Sequence, residues 1–229
     1  MGRSKNKLSK FAEMMDFQNV VQNFDFLKPG LVGAGGQKVD YKGSWSKEFF
    51  KNENPLILEL ACGRGEYTVA LAAAFPDKNY MGVDIKGARI WVGAKMAIEQ
   101  GLANAGFLRT RIEQIGMFMG EGEVDEIWIT FPDPFLLKER NRLTHHRFLD
   151  SYLPFLKPGG LIHLKTDDDT LYEFSVESFA SWGRGEIIYH NADIYGGPLF
   201  DPVLEYKTYY ERLNMGRGKT IKYIKYRVS

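Results

Sequence analysis

The stretch LILELACGRGEYT, residues 56–68, decides how the rest of the chain is read. An apolar run, Leu56, Ile57 and Leu58, ends on a carboxylate, Glu59. Gly63 and Gly65 follow, and a helical pattern opens at Glu66. Strand, glycine-rich turn and helix in that order open an α/β nucleotide-type site. Glycine lets the backbone turn tightly and approach a ligand, because no Cβ intrudes. The free N–H groups of the helix start suit an anion. The dinucleotide fingerprint G-x-G-x-x-G is broken, since its third glycine falls on Thr68. A second apolar run, residues 80–83, ends in Asp84, about 20 residues past the glycines, where an acid suits a ribose diol.

Outward from that stretch the chain alternates. The pattern predicts strands over 56–60, 79–84, 105–110, 124–130 and 161–165. It predicts helices over 66–75, 88–100, 111–119, 144–156 and 170–182. Pro76 and Gly101 close two of them, and Thr144 is a candidate N-cap for the fourth. Pro158, Gly159 and Gly160 turn the chain into the fifth strand. Two late strands, 187–191 and 220–228, have no full helical unit between them, which places an antiparallel strand near the C-terminus. The expectation is an α/β domain: a doubly wound, mostly parallel seven-stranded sheet with helices on both faces. Residues 1–50 show little period, and 29–36 hold Pro29 and four glycines, a loop signature. They read as an N-terminal basic extension to a domain over 51–229, packed on that domain or ordered by a partner, with a disordered tail as the alternative for residues 1–10.

The 229 residues, 44% hydrophobic and 26% charged, fit an ordinary soluble globular protein. No apolar run reaches the ~18 residues of a membrane span. No apolar segment follows the basic start, so neither a membrane segment nor a secretory signal is expected. Cys62 is the only cysteine, which excludes an intrachain disulfide and suits the cytoplasm. It reads as a small space-filling residue. The net charge of +1 conceals segregation. Residues 1–10, 138–147 and 207–229 together carry fifteen Lys or Arg and two acids, so the remainder is acidic. An electropositive face on an acidic body points to a polyanion, nucleic acid first. Three basic surfaces that never converge are the alternative.

In doubly wound sheets the ligand sits beyond the carboxyl ends of the strands. The predicted strands end at Glu59, Asp84, Arg111 or Ile112, Phe131-Pro132-Asp133, and Thr166-Asp167. Phe131-Pro132-Asp133-Pro134 is the most informative, because two prolines fix φ and aim Asp133. Lys138, Arg140, Arg142 and Arg147 follow it directly. An oriented carboxylate beside a basic strip suits a polyanion whose reacting group is not the phosphate itself. His145 and His146 have no Cys or His partner at metal-ligand spacing, so no metal site is expected.

Glu59-x-x-x-Gly63-x-Gly65 followed by Asp84 resembles the S-adenosylmethionine site of class I methyltransferases. The resemblance sharpens over LELACGRGEYT, GVDIKGARI, FPDPFLLKERNRLTHHRFL, LKTDD and KTYYERLNMGRGKTIKY, which are similar to the bacterial tRNA (guanine-N7-)-methyltransferase family. That family implies a Rossmann-like fold and S-adenosylmethionine as cofactor. It implies Gly63 and Gly65 under the methionine part, Glu59 holding that part, and Asp84 on the ribose. Asp133 is implied as the active-site acid and a cofactor neighbour. Lys138, Asp167, Thr208, Tyr209, Tyr210 and Glu211 are implied as substrate contacts, with Arg140 and Arg142 on the RNA backbone. The chain also departs from its relatives. Phe135 and Leu137 stand where many have Trp and Lys, so Lys138 takes that contact or it is absent. Arg111 replaces an aspartate that meets the adenine, which leaves the adenine to the Ile112 N–H or to Glu113.

Thr208-x-x-Glu211 also satisfies the capping-box pattern, so a plain helix start explains its spacing. The expected activity is methyl transfer from S-adenosylmethionine to N7 of a guanine in the tRNA variable loop, by a cytoplasmic monomer or homodimer without membrane or metal partners. Methylation of another RNA or a small molecule, and non-catalytic RNA binding, are the rivals.

Overall fold

The structure, a computed structural model, describes the backbone of residues 2–229 and the side chains from Leu8 onward. The side chains of residues 1–7, part of the N-terminal basic extension read above, lie outside the described residues. The chain forms two compact units, Met1–Gly120 and Glu121–Ser229.

The first unit contains helix α1 (Gly2–Met14) and the short strands β1 (Val20–Asn23), β2 (Leu31–Val32) and β3 (Lys38–Val39). It continues with β4 (Leu56–Leu60), α2 (Glu66–Ala74), β5 (Asn79–Asp84), α3 (Gly87–Glu99) and β6 (Ala105–Arg109). Its strands lie in the order β3-β2-β1-β6-β5-β4. β4 pairs parallel with β5, β5 with β6, and β6 with β1, while β2 and β3 return antiparallel. Every residue of β4 and β5 is buried, as expected of strands covered on both faces.

Residues 1–50 do not stand apart from this unit. Val20 and Val21 pair with Phe107 and Leu108 of β6 and are almost wholly buried. Trp45 is fully buried, its indole N–H donating to Phe118 O at 2.8 Å. The apolar residues of this stretch are spread too thinly to show a period, yet Met14, Val20, Val21, Leu31, Trp45 and Phe50 are spent on the core.

The second unit contains β7 (Val124–Thr130), α4 (His146–Tyr152), β8 (Leu156–Thr166) and α5 (Asp169–Trp182). β9 (Gly185–Asn191), α6 (Tyr209–Met215) and β10 (Lys222–Val228) complete it. The order is β7-β8-β10-β9, with β7 and β8 parallel and β10 antiparallel to both its neighbours. The seven expected strands are β4 to β10, and β10 is the antiparallel one. The class is thus the mostly parallel α/β fold read from the sequence, with β1 to β3 added.

Three local readings change. Residues 112–117 form a short 3-10 turn instead of a helix over 111–119. α4 is capped by His145, whose Nδ1 accepts the Arg147 N–H at 3.1 Å, because Thr144 is drawn inward to Ser175 at 2.7 Å. β8 starts at Leu156, before the glycine turn.

Candidate active site

In the first unit the loop after β4 carries the cofactor candidates. Its backbone alternates into the left-handed region at Ala61 (φ 58°), Gly63 (φ 57°) and Gly65 (φ 67°). The two glycines have different reasons to be glycine. A Cβ at Gly65 would collide with the Phe107 ring, so this position serves close packing of α2 on the sheet. A Cβ at Gly63 would meet nothing nearer than 4.0 Å, so this backbone faces open space that a ligand can use. Asp84, 7% exposed, holds the loop from behind. Its Oδ2 accepts the Gly63 N–H at 2.9 Å and its Oδ1 the Lys86 N–H at 2.7 Å. Each carboxylate oxygen has two lone pairs, so capacity remains for a ribose hydroxyl. Glu59 is buried, and its Oε2 accepts both the backbone N–H (2.9 Å) and the hydroxyl (2.5 Å) of Thr68. The residue that breaks the dinucleotide fingerprint therefore ties β4 to the first turn of α2. Burial and the two nearby carboxylates, Glu59 and Asp84, push the Cys62 thiol up, which suits an inert filler.

Ile112, the adenine candidate, begins the 3-10 turn after β6. This turn is pinned by a residue that sequence reasoning passed over. Asn23 is fully buried, and its amide donates to Thr110 Oγ1 at 3.2 Å and Gln114 Oε1 at 3.1 Å. Its Oδ1 accepts the Gly30 N–H at 3.3 Å, and Gln114 donates to Phe26 O at 2.8 Å. Arg111 lies over the Phe26 ring at 4.4 Å. Parallel pairing of β1 with β6 makes the two strands leave the sheet at one end, which is why these loops meet.

In the second unit Thr130 is in register with Lys165, and the Phe131 N–H donates to Lys165 O at 2.8 Å. Asp133 and Asp167 therefore leave β7 and β8 at the same end. Asp133 is exposed, and one of its oxygens accepts the Phe135 N–H at 3.2 Å. Phe131 and Phe135, on either side of the Pro-Asp-Pro run, both hold positive φ (48° and 43°). Such backbone costs on the order of 1–3 kcal/mol per residue and persists where surrounding structure enforces it. Asp167 is half-buried and accepts from Lys219 Nζ at 2.5 Å.

Thr208 caps α6 and the capping box is complete: the Glu211 N–H donates to Thr208 Oγ1 and the Thr208 N–H to Glu211 Oε2. Glu211 itself is fully buried. Its Oε1 lies 2.7 Å from Lys165 Nζ and accepts the Tyr195 hydroxyl at 2.6 Å. Burial drives the Lys165 ammonium down from its ordinary value while Glu211 opposes the shift. Burial and Glu211 drive the Tyr195 hydroxyl up. Tyr209 and Tyr210 stand half-exposed, their rings edge to face at 5.7 Å.

Two expected RNA or substrate contacts are placed otherwise. Arg142 is 1% exposed. Its Nε donates to Pro134 O at 2.9 Å, its Nη1 meets Glu139 at 3.2 Å, and its guanidinium covers the Phe174 ring at 4.4 Å. It supports the Asp133 loop from within and is not presented to a phosphate. Glu211, inside its ion pair, supports α6 and does not face solvent. Lys138 and Arg140 are exposed, as a backbone contact requires.

A family model described as "Putative methyltransferase" matches residues 53–222. A tRNA (guanine-N(7)-)-methyltransferase of Bacteroides fragilis (strain YCH46) is 46% identical, covering 97% of this chain and 85% of that one. One from Christiangramia forsetii is 44% identical, covering 98% and 99%. The chain belongs to the tRNA (guanine-N7-)-methyltransferase family. Among solved structures, the 16S rRNA methyltransferase KamB superposes with a TM-score of 0.64 at 15% identity, covering 85% of this chain and 97% of that one. At that identity the likeness shows the fold alone. Within this family member the residues missing from the sequence reading are supports. Asn23, Lys165 and Tyr195 each lie far along the chain from the group they steady, which hides that support from the sequence. No helix among the described residues is long and apolar enough to cross a membrane.

Proposed function

We propose that the protein transfers a methyl group from S-adenosylmethionine to N7 of a guanine in the variable loop of tRNA, and that it works in the cytoplasm; its relatives are named tRNA (guanine-N(7)-)-methyltransferases. The observation that carries this reading is that Asp133 and Asp167, in the loops after β7 and β8, and the capped helix start Thr208–Glu211 belong to one unit. There β7 and β8 end together and Lys165 joins β8 to Glu211.

S-adenosylmethionine, when bound, supplies an electrophilic methyl on a sulfonium. Gly63, with open space beside its Cα, Glu59, Asp84 and the N–H of Ile112 would hold it. Guanine N7 has a lone pair and no proton, so the chain needs no general base. What its residues must provide is placement and an anion near the ring. Placement contributes several kcal/mol. Asp133, aimed by Pro132, Pro134 and the Phe135 N–H, would stabilise the positive charge that develops on the purine. Asp167 is an acceptor for the N1–H and N2–H₂ donors that distinguish guanine from adenine. Tyr209 and Tyr210 offer ring faces to neighbouring bases. Glu211 fixes these residues from behind. Lys138 and Arg140 position phosphates without reading sequence.

The test is to incubate the protein with labelled S-adenosylmethionine and unmodified tRNA and to map the product by chemical cleavage at 7-methylguanosine. A single cleavage in the variable loop is expected, and label in any other position or molecule overturns the reading. Asp133→Ala should bind S-adenosylmethionine as the parent does while transfer falls by about 10²-fold or more. Near-normal turnover would remove Asp133 from the chemistry.

A further inference from the structure

The turn that follows the Pro-Asp-Pro run breaks a rule of turn chemistry. Lys138 N–H donates to Phe135 O at 3.0 Å, which makes Leu136 and Leu137 the two corner residues. Corners favour Gly, Asn, Asp, Pro and Ser. Here both are leucines, and neither is buried: Leu136 is 60% exposed and Leu137 97%. A single exposed leucine needs no explanation, but two adjacent ones at a tip, three residues from an exposed acid, form a projecting apolar edge.

The edge is held firmly. Arg142 donates to Pro134 O and its guanidinium carbon lies over the Phe174 ring. A second turn follows at once, Asn141 N–H donating to Lys138 O at 2.9 Å. Phe131 and Phe135 bear the positive φ values that set the angle of the loop. On the shoulder of the tip, Lys138 and Arg140 are exposed, while the charge of Glu139 is taken by Arg142. The tip is therefore apolar at its point and cationic at its base. An anionic lipid surface also offers both features, but the tip stands three residues from the exposed Asp133, whose proposed target is a base. A stacked RNA loop offers apolar base faces flanked by phosphates.

We propose that Leu136 and Leu137 form a wedge that enters the base stack of the RNA and fills the space left by the target nucleotide as it swings out toward Asp133. Lys138 and Arg140 hold the adjoining phosphates. This rests on the guanine methylation proposed above. A base inside a stacked loop is out of reach, and extruding it costs a few kcal/mol. Apolar side chains inserted between base steps offset part of that cost. Leu137 lies four residues beyond Asp133, a chain span of at most about 14 Å. That bound keeps the tip close enough to Asp133 to occupy the stack which a base beside the acid has left.

The test compares the parent, Leu136→Ser/Leu137→Ser and Leu137→Met on two RNAs: an intact tRNA transcript, and the same transcript with an abasic site beside the target guanine. The abasic site removes the stacking that the wedge must replace. The double variant should lose about 10- to 100-fold in kcat/KM on the intact transcript, one to two decades of barrier. It should come within about threefold of the parent on the abasic one. Leu137→Met, which keeps the apolar tip, should behave as the parent on both. Equal activity of parent and double variant on intact tRNA overturns the wedge alone, and so does an equal loss on both RNAs. A double variant that changes the size of the protein in gel filtration while methylating normally assigns the tip to a second copy of the chain and likewise overturns it. A parent that makes no 7-methylguanosine on either RNA overturns the methylation reading itself.

Discussion

Replacing Lys165 with Met tests the buried ion pair behind α6. Both Lys165 and Glu211 have fully buried side chains 2.7 Å apart. Methionine keeps most of the volume, so the cavity term is small. Glu211 retains the Tyr195 hydroxyl and the Thr208 N–H but loses its cation. Breaking a buried pair from one side costs about 3–5 kcal/mol, because an uncompensated charge remains. The carboxylate has one escape, which is to take up a proton. For a glutamate of ordinary unfolded pKa near 4.3 that costs about 3.7 kcal/mol at pH 7 and about 1 kcal/mol at pH 5. In the variant the native state then binds a proton that the unfolded state does not, so its deficit shrinks as pH falls from 7 to 5. Urea unfolding of parent and variant at pH 7, 6 and 5 measures this. The expected deficit is about 3–4 kcal/mol at pH 7 and about 1 kcal/mol at pH 5. Lys165→Met/Glu211→Gln should recover most of the loss and show no such slope. A deficit below about 1 kcal/mol at pH 7, or one that does not change with pH, refutes the argument.

Three further outcomes follow from the supports. Asn23→Ala removes hydrogen bonds to Thr110, Gln114 and Gly30. It should weaken S-adenosylmethionine binding by about tenfold in calorimetry with kcat nearly unchanged, about 1–3 kcal/mol of lost order in the loop. Gly65→Ala places a Cβ against Phe107 at φ 67° and should destabilise the protein more than Gly63→Ala, whose Cβ is unobstructed but whose loss should fall on cofactor affinity. Thermal unfolding and calorimetry separate the two, and equal effects on both measurements would dissolve the distinction. His163 is buried against Trp128, bonded to the Tyr223 hydroxyl at 2.7 Å, and Glu126 lies 3.2 Å from its other nitrogen. That nitrogen lacks an aligned hydrogen-bond partner among the described residues. Burial, partly opposed by Glu126, lowers its pKa below 6.5, so the unfolded chain takes up a proton that the native state refuses. Stability should therefore be full above pH 6.5 and decline as pH falls toward the folded value, at up to about 1.4 kcal/mol per pH unit. Equal urea-midpoint slopes for His163→Gln and the parent between pH 6.5 and 5 would refute it.

The strands, the glycine turn and the acids at the strand ends were legible because each is written locally. Five buried residues in a row give β4, and two glycines give the turn after it. The place of Asp133 in a stiff turn just beyond β7 was legible because prolines stand on both sides of it. The support of these residues was not legible. Arg142 read as a phosphate contact, since charged side chains are seldom fully buried unless paired, and Lys165 read only as the end of a strand. Their partners, Pro134, Phe174 and Glu211, become neighbours only through tertiary packing. β1 was missed because four residues without alternation carry no period, and only pairing with β6 makes them a strand.

The same reasoning revises the meaning of the basic C-terminal segment. Counted along the chain, residues 207–229 are strongly cationic. In the fold, Lys219 pairs with Asp167, Lys222 with Asp169, Lys225 with Asp201 and Arg227 with Glu186. These acids lie in the part of the chain whose excess negative charge seemed to mark a separate acidic body. Segregation in sequence is thus partly cancelled in space, and antiparallel pairing of β10 with β8 and β9 is the cause. The cations left exposed for a polyanion include Lys138 and Arg140 beside Asp133, and Arg212 and Arg217 around the end of α6. They flank the acid and the paired tyrosines. In the proposed reaction these cations would set where the tRNA settles, and Asp133 and the exposed rings would set what happens there.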